Sequence, residues 1–87
     1  MNENVFKDIG VNIVFHRRLR GLTQVVLARN VNIGVSKLSK IERGIDVFDV
    51  PLSVYLRIAE QMSIPIIELL KTTDVKVKNI CVRKQVK

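Results

Sequence analysis

The chain has one cysteine, Cys81, and one histidine, His16, in 87 residues. A lone cysteine forms no internal disulfide, and neither residue has the companions that a metal site needs. Catalysis lacks its parts too. His16 and Cys81 lie far apart in sequence, and no glycine-rich phosphate loop or Gly-x-Ser-x-Gly elbow occurs. Asp46 and Asp49 are close together, but that spacing suits turn formation and capping better than an acid–base pair. No enzyme activity, no metal and no cofactor is expected. No apolar run approaches the roughly 20 residues of a membrane span. Met1-Asn2-Glu3-Asn4 has neither the basic start nor the apolar stretch of a signal peptide. A cytoplasmic location is therefore the expectation. Internal repeats and low-complexity stretches are also missing.

What remains is enough for one domain. Apolar residues make up 47% of the chain, sufficient for a core and too many for a disordered segment. The net charge of +7 is unevenly spread. Residues 1–16 sum to −1, residues 17–43 to +6, residues 44–70 to −3 and residues 71–87 to +5. Two basic blocks flank an acidic one, which points to an anionic partner. Charge alone does not separate nucleic acid from an acidic lipid surface.

Val5, Ile9 and Ile13 recur at helical spacing with Phe6 beside them, predicting a helix over 5–20 that stops at Gly21. A short helix follows over 24–30 with Thr23 as N-cap, and another over 35–43 that ends at Gly44. Residues 45–50 form a loop turned by Asp46 or Asp49. Pro51 suits the first position of a fourth helix over 51–61, with Leu52, Tyr55 or Leu56, and Ala59 facing the core. Ser63 and Pro65 restart the chain into a fifth helix ending near residues 70–72. In the tail, Val75-Lys76-Val77-Lys78 alternates with period two and Ile80-Cys81-Val82 is β-prone. Either a short strand paired with its copy in a second subunit or a frayed basic tail fits that pattern. The expectation is an all-α, five-helix domain over 1–72, followed by a basic tail over 73–87 that carries the short β-strand if one forms.

Residues 24–43 have the makings of two short helices crossing steeply. Leu27, Val31, Ile33, Leu38 and Ile41 take the inward positions, and Ala28 is small where the helices approach. Asn32 stands in the turn, where positive φ favours glycine first and asparagine next. An ordinary bundle shows similar apolar spacing; the turn asparagine and the small crossing residue are what set this segment apart.

Leu22-Thr23-Gln24, Leu27-Ala28, Ser36 and Ile41-Glu42-Arg43-Gly44 together resemble the signature of the Cro/phage-repressor (Xre-type) helix-turn-helix proteins. Ile9-Gly10, Ile13, Arg17 and Gly21 match the family's first helix at the same spacing. Leu56-Arg57-Ile58-Ala59 and Glu68-Leu69-Leu70 are similar to its fourth and fifth helices, so the likeness spans about residues 8–71. The resemblance implies a repressor-like DNA-binding domain, a transcriptional regulator acting as a homodimer on a partly palindromic double-stranded operator. It also implies a set of DNA-binding residues: Thr23, Gln24, Gly34, Val35, Ser36, Lys37, Ser39, Lys40 and Arg43. Gln24 matches the position that contacts phosphate and braces the recognition helix, and Arg17 and Glu42 match a pair that ties the first helix to the third.

The groove-facing residues differ in chemistry. Lys40 can donate to guanine O6 or N7 or neutralise a phosphate, Ser36 can bond either, and Val35 offers a thymine methyl only apolar contact. Lys37 and Arg43 suit phosphate, setting register. Arg18, Arg20 and Arg29 read as solvated surface. Three features depart from the family pattern. Asn32 replaces the turn glycine, Gly34 replaces a capping serine or threonine, and His16 stands where an apolar residue is usual, a packed or half-buried position. In addition, Val11, Val14, Phe15, Val25 and Val26 are apolar where the family is commonly charged, and Val47, Phe48 and Val50 make the loop after the third helix apolar. A second surface follows, covered by the N-terminal residues, the tail or a partner protein. The rival reading is thus an antitoxin-like module that binds a protein partner. Attachment to acidic membrane through the tail fits the helix-turn-helix less well, and no membrane partner is expected.

Overall fold

The computed structural model describes residues 4–72. They form four α-helices, α1 (Asn4–Leu19), α2 (Gln24–Asn30), α3 (Val35–Arg43) and α4 (Leu52–Gln61), and a 3-10 helix at Ile66–Leu70. The all-α expectation holds, with one correction. The fifth helix is five residues of 3-10 geometry, begun after Pro65 and ended by the extended Lys71, too short to repay the nucleation of an α-helix. The strand expected near 75–82 lies outside the described residues.

α1 is the spine. It packs against α3 on one flank and the 3-10 helix on another, while α2 packs on α3, and α4 on the 3-10 helix and α2. Ile9 and Ile13 of α1 enter one core with Leu27, Ala28, Val31, Leu38, Ile41, Ile58, Met62 and Leu69, and Val5, Phe6 and Ile33 are partly buried against it. Each fully buried aliphatic side chain contributes about 1.5–3 kcal/mol relative to exposure.

All four α-helices end alike, with a left-handed residue and a paired set of backbone hydrogen bonds. At Gly21, Asn32, Gly44 and Ser63 φ is +70°, +63°, +71° and +56°. In each case this residue's N–H donates three residues back, and the next N–H donates five back, as in Ile45 to the Lys40 carbonyl at 3.1 Å. Orphan carbonyls at each helix end are thereby satisfied, and the chain reverses in a fixed direction. The expectation for Asn32 is met.

Two details of α4 differ from expectation. Pro51 is its N-cap, in extended conformation, rather than its first helical residue. The core face is Val54, Tyr55, Ile58 and Ala59, whereas Leu52 is 66% exposed and Leu56 46% exposed. Leucines at 52 and 56 and the buried pair 55 and 59 lie on adjacent stripes of one helix, so periodicity alone left the choice of stripe open. The loop valines also shift: Val47 is buried and Val50 half-buried, holding the 45–50 loop to the body.

Asn12, fully buried, ties the 3-10 helix and its C-cap, Lys71, to α1. Its Nδ2 donates to the Leu69 carbonyl at 2.9 Å and the Lys71 carbonyl at 2.8 Å.

At Gly10 the α1 backbone lies directly against that of α3. A β-carbon there would run into the Glu42 backbone carbonyl. Backbone cannot swing aside as a side-chain tip can, so the usual helix preference for alanine over glycine, about 1 kcal/mol, is reversed here. Gly10→Ala is expected to lower stability by about 1–3 kcal/mol in urea unfolding; a gain in stability would show that the two helices stand farther apart.

Candidate nucleic-acid interface

The third helix is held on one side and open on the other. Leu38, Ile41 and Glu42 are buried. Ser36, Lys40 and Arg43 recur at i, i+4 and i+7 on the opposite side, with Ser39 alongside, forming one polar and basic stripe. Val35 flanks the stripe on one margin, still substantially exposed, and Lys37 on the other. Gly34 is the N-cap, extended and without a capping side chain. Seven of the nine expected DNA-binding residues, Gly34, Val35, Ser36, Lys37, Ser39, Lys40 and Arg43, thus belong to α3 and its cap.

The other two, Thr23 and Gln24, start α2. Thr23 caps it, its Oγ1 accepting from the Val26 N–H at 3.1 Å, as its residue type predicts. Gln24 reaches across to α3, where its Nε2 donates to Glu42 Oε1 at 2.8 Å.

That carboxylate is the hub. Arg17 of α1 donates to it twice, Nε to Oε2 at 2.7 Å and Nη2 to Oε1 at 3.2 Å, a bidentate fork. Arg17 Nη1 also donates to the Leu22 carbonyl at 2.9 Å, at the entry to α2. The expected Arg17–Glu42 pair is therefore formed, and Gln24 completes a link among α1, α2 and α3. These contacts fix the roll and tilt of α3, and hence the direction of its open stripe.

The loop after α3 adds two carboxylates that sequence reasoning assigned only to turn-making. Lys37 Nζ lies 3.0 Å from Asp49 Oδ1 and 3.2 Å from Oδ2, and Lys40 Nζ lies 3.7 Å from Asp46 Oδ2. The hydrogen bond from Lys37, and then its charge, hold the Asp49 carboxyl below its ordinary value of 3.8. Asp46 does make a turn as well, with φ +52°. The only sequence signal for these pairs was the adjacency of a basic block and an acidic one. Among the described residues, no cluster of three or more histidine, cysteine or acidic side chains is placed to hold a metal ion. No helix among them is long and apolar enough to cross a membrane.

No family model and no curated protein matches the chain. Solved structures do. The restriction-modification controller protein C.AhdI from Aeromonas hydrophila is 28% identical, with 74% of this chain and 94% of that chain covered and a TM-score of 0.67. The hypothetical transcription factor NHTF from Neisseria is 22% identical, with 90% of this chain and 88% of that chain covered and a TM-score of 0.73; this second likeness is one of fold. The chain resembles the Cro/Xre-type helix-turn-helix family in fold as well as in sequence. In that setting α2 and α3 are the two helices of the motif, with Asn32 in the turn between them.

His16 is buried, as its place on α1 predicts, with Arg20 Nη1 3.4 Å from its Nδ1 and Phe15 edge-on at 5.1 Å.

The side chains of Arg17 and Glu42 are 10% and 4% exposed, so removing one partner leaves a buried charge. Glu42→Ala should cost about 3–5 kcal/mol in denaturant unfolding. The double change Arg17→Met with Glu42→Leu should restore most of that loss, since it removes both charges while keeping volume. Equal destabilisation in the single and double variants would show that the pair contributes packing rather than charge compensation.

Proposed function

We propose that the chain binds double-stranded DNA in a sequence-specific manner, laying α3 in the major groove, and regulates transcription as a homodimer. The observation that carries this reading is the open stripe of Ser36, Ser39, Lys40 and Arg43 on a helix whose other face is locked in place by the Arg17–Glu42–Gln24 network. A rigidly aimed helix with hydroxyls and cations outward suits the edges and phosphates of a groove. The two structural neighbours are a restriction-modification controller and a hypothetical transcription factor, which supports a regulatory role.

In this reading Lys40 and Ser36 reach base edges, Val35 meets a thymine methyl group, and Lys37, Arg43 and Gln24 hold phosphates. The open cap at Gly34 and the Thr23-capped start of α2 approach the backbone. The dimer forms through the last helices. Leu52 and Leu70 rim one apolar cavity of about 250 Å³, and Leu56 and Ile67 are exposed nearby on the same two elements. A two-fold there sets two α3 helices about 34 Å apart, one turn of DNA.

One observation favours a second reading, an antitoxin-like module that also binds a protein. Val11, Phe15 and Leu19, at i, i+4 and i+8 on the outward side of α1, are 48%, 46% and 67% exposed, and with Val14 they line a shallow apolar groove. Charged residues are the usual occupants of such a face.

In-vitro selection from a random duplex library at about 150 mM salt tests the principal reading, since specific contacts outlast screening there. Enrichment of a palindrome with half-sites near one helical turn apart is expected. Lys40→Ala is expected to lose about 1–3 kcal/mol of binding and to blur preference at one position of each half-site. A uniform loss over all sequences would move Lys40 to a phosphate, and no enrichment at all would shift the reading to the protein-binding module.

A further inference from the structure

The 45–50 loop is built to stay where it is. Gly44 and Ile45 close the end of α3 through backbone hydrogen bonds, Asp46 turns in the left-handed region, and Val47 is buried. Phe48, although 87% exposed, sets its ring edge-on against Phe6 at 5.4 Å, and the Val50 N–H returns to the Val47 carbonyl at 3.1 Å. The two side chains this anchored loop turns toward α3 are Asp46 and Asp49, each against a lysine.

Such exposed pairs add little to folding. Their effect on local charge is larger. Of the three cations on the open side of α3, Lys37, Lys40 and Arg43, two face a carboxylate. We propose that Asp46 and Asp49 are specificity-determining residues, which neutralise Lys37 and Lys40 so that the recognition helix gains full hold only on a matched sequence. This rests on the DNA-binding reading above.

Attraction to an arbitrary duplex is almost wholly electrostatic, and each lysine that takes a phosphate releases condensed counterions. A lysine already held by a carboxylate releases fewer, and that carboxylate repels the phosphate. Binding to arbitrary DNA is weakened directly. At a matched sequence, hydrogen bonds from Lys40 and Ser36 to base edges make up the loss, whereas an arbitrary duplex offers only its phosphates. The ratio of specific to non-specific affinity rises.

The test compares the full chain with Asp46→Asn/Asp49→Asn and with Glu60→Gln/Glu68→Gln. The second variant removes the same charge from α4 and the 3-10 helix. Because these elements carry the proposed dimer contact, light scattering first checks that it dimerises as the parent does, and binding is compared at matched dimer concentration. Asparagine tolerates the left-handed conformation at position 46, and circular dichroism checks that all three proteins are folded. Anisotropy titrations of the selected palindrome and a scrambled duplex are run from 50 to 300 mM salt.

The loop variant should bind the scrambled duplex about five- to tenfold tighter at low salt, with a salt slope steeper by up to about 1.8, or about 0.9 per lysine. Palindrome affinity should change much less, and the glutamate variant should stay near the parent on both duplexes. Equal tightening in the two variants would reduce the effect to net charge and overturn the proposal. So would an unchanged loop variant, or one weakened only on the palindrome, which would make a loop carboxylate a base reader. If selection enriches no duplex, retention on immobilised heparin decides separately. Later elution of the loop variant than of the glutamate variant supports neutralisation of the lysines while the DNA reading fails, and equal elution overturns both.

Discussion

The Glu42 carboxylate is the point at which three helices are held to one another. It accepts two hydrogen bonds from Arg17 of α1 and one from Gln24 of α2, and it stands on α3, the helix whose orientation decides what the outer stripe can reach. A buried ion pair is a poor device for stability alone, since apolar residues of equal volume serve as well or better. What it supplies is direction. A planar guanidinium and a planar carboxylate meet in only a few orientations, whereas leucine on isoleucine tolerates many. Gly10 complements this by letting the α1 and α3 backbones approach to the distance at which the fork closes.

Direction along the chain is set at the helix ends. Four left-handed residues each end an α-helix with the same paired hydrogen bonds, so the angle between successive helices follows from backbone geometry as well as from side-chain packing. Glycine fills two of these places, asparagine a third and serine the fourth, in falling order of suitability for positive φ. The asparagine lies between α2 and α3, where a reversal of the right shape is indispensable to a helix-turn-helix.

Much of this was legible in the residues. Thr23, Asn32 and Gly44 act through local backbone chemistry, and the bounds of α2 and α3 agree with the expected ones. The Arg17–Glu42 contact was legible only through family likeness, because no local rule links residues 25 positions apart. The core stripe of α4 was legible in part. Tyr55 and Ala59 are buried as expected, but Leu52 and Leu56 are as apolar as the residues beside them, and packing against α2 and the 3-10 helix, a tertiary matter, buried Val54 and Ile58 in their place. A fifth helix was legible from Ser63 and Pro65, but not its 3-10 geometry, which follows because five residues after a proline leave too few i to i−4 hydrogen bonds to repay nucleation. The roles of Asp46 and Asp49 beyond turn-making depend on how the loop folds back over α3, which no spacing encodes.

Those two aspartates change how the charge pattern itself is understood. Residues 17–43 carry +6 and residues 44–70 carry −3, and in a linear reading the second block merely separates two basic ones. Folding instead brings part of the acidic block onto the open side of α3 and leaves Arg43 as the cation there without a loop carboxylate against it. A surface meant only to attract polyanions has no use for carboxylates beside its lysines, since each one lowers the long-range field and the association rate. A surface that must distinguish one anionic duplex from another gains from weak attraction and directional contacts. The hydroxyls of Ser36 and Ser39 supply such contacts, and the Glu42 hub keeps them aimed. In the DNA-binding reading proposed above, the arrangement of fixed helix, short hydroxyls and partly neutralised lysines favours recognition of sequence over adhesion to charge.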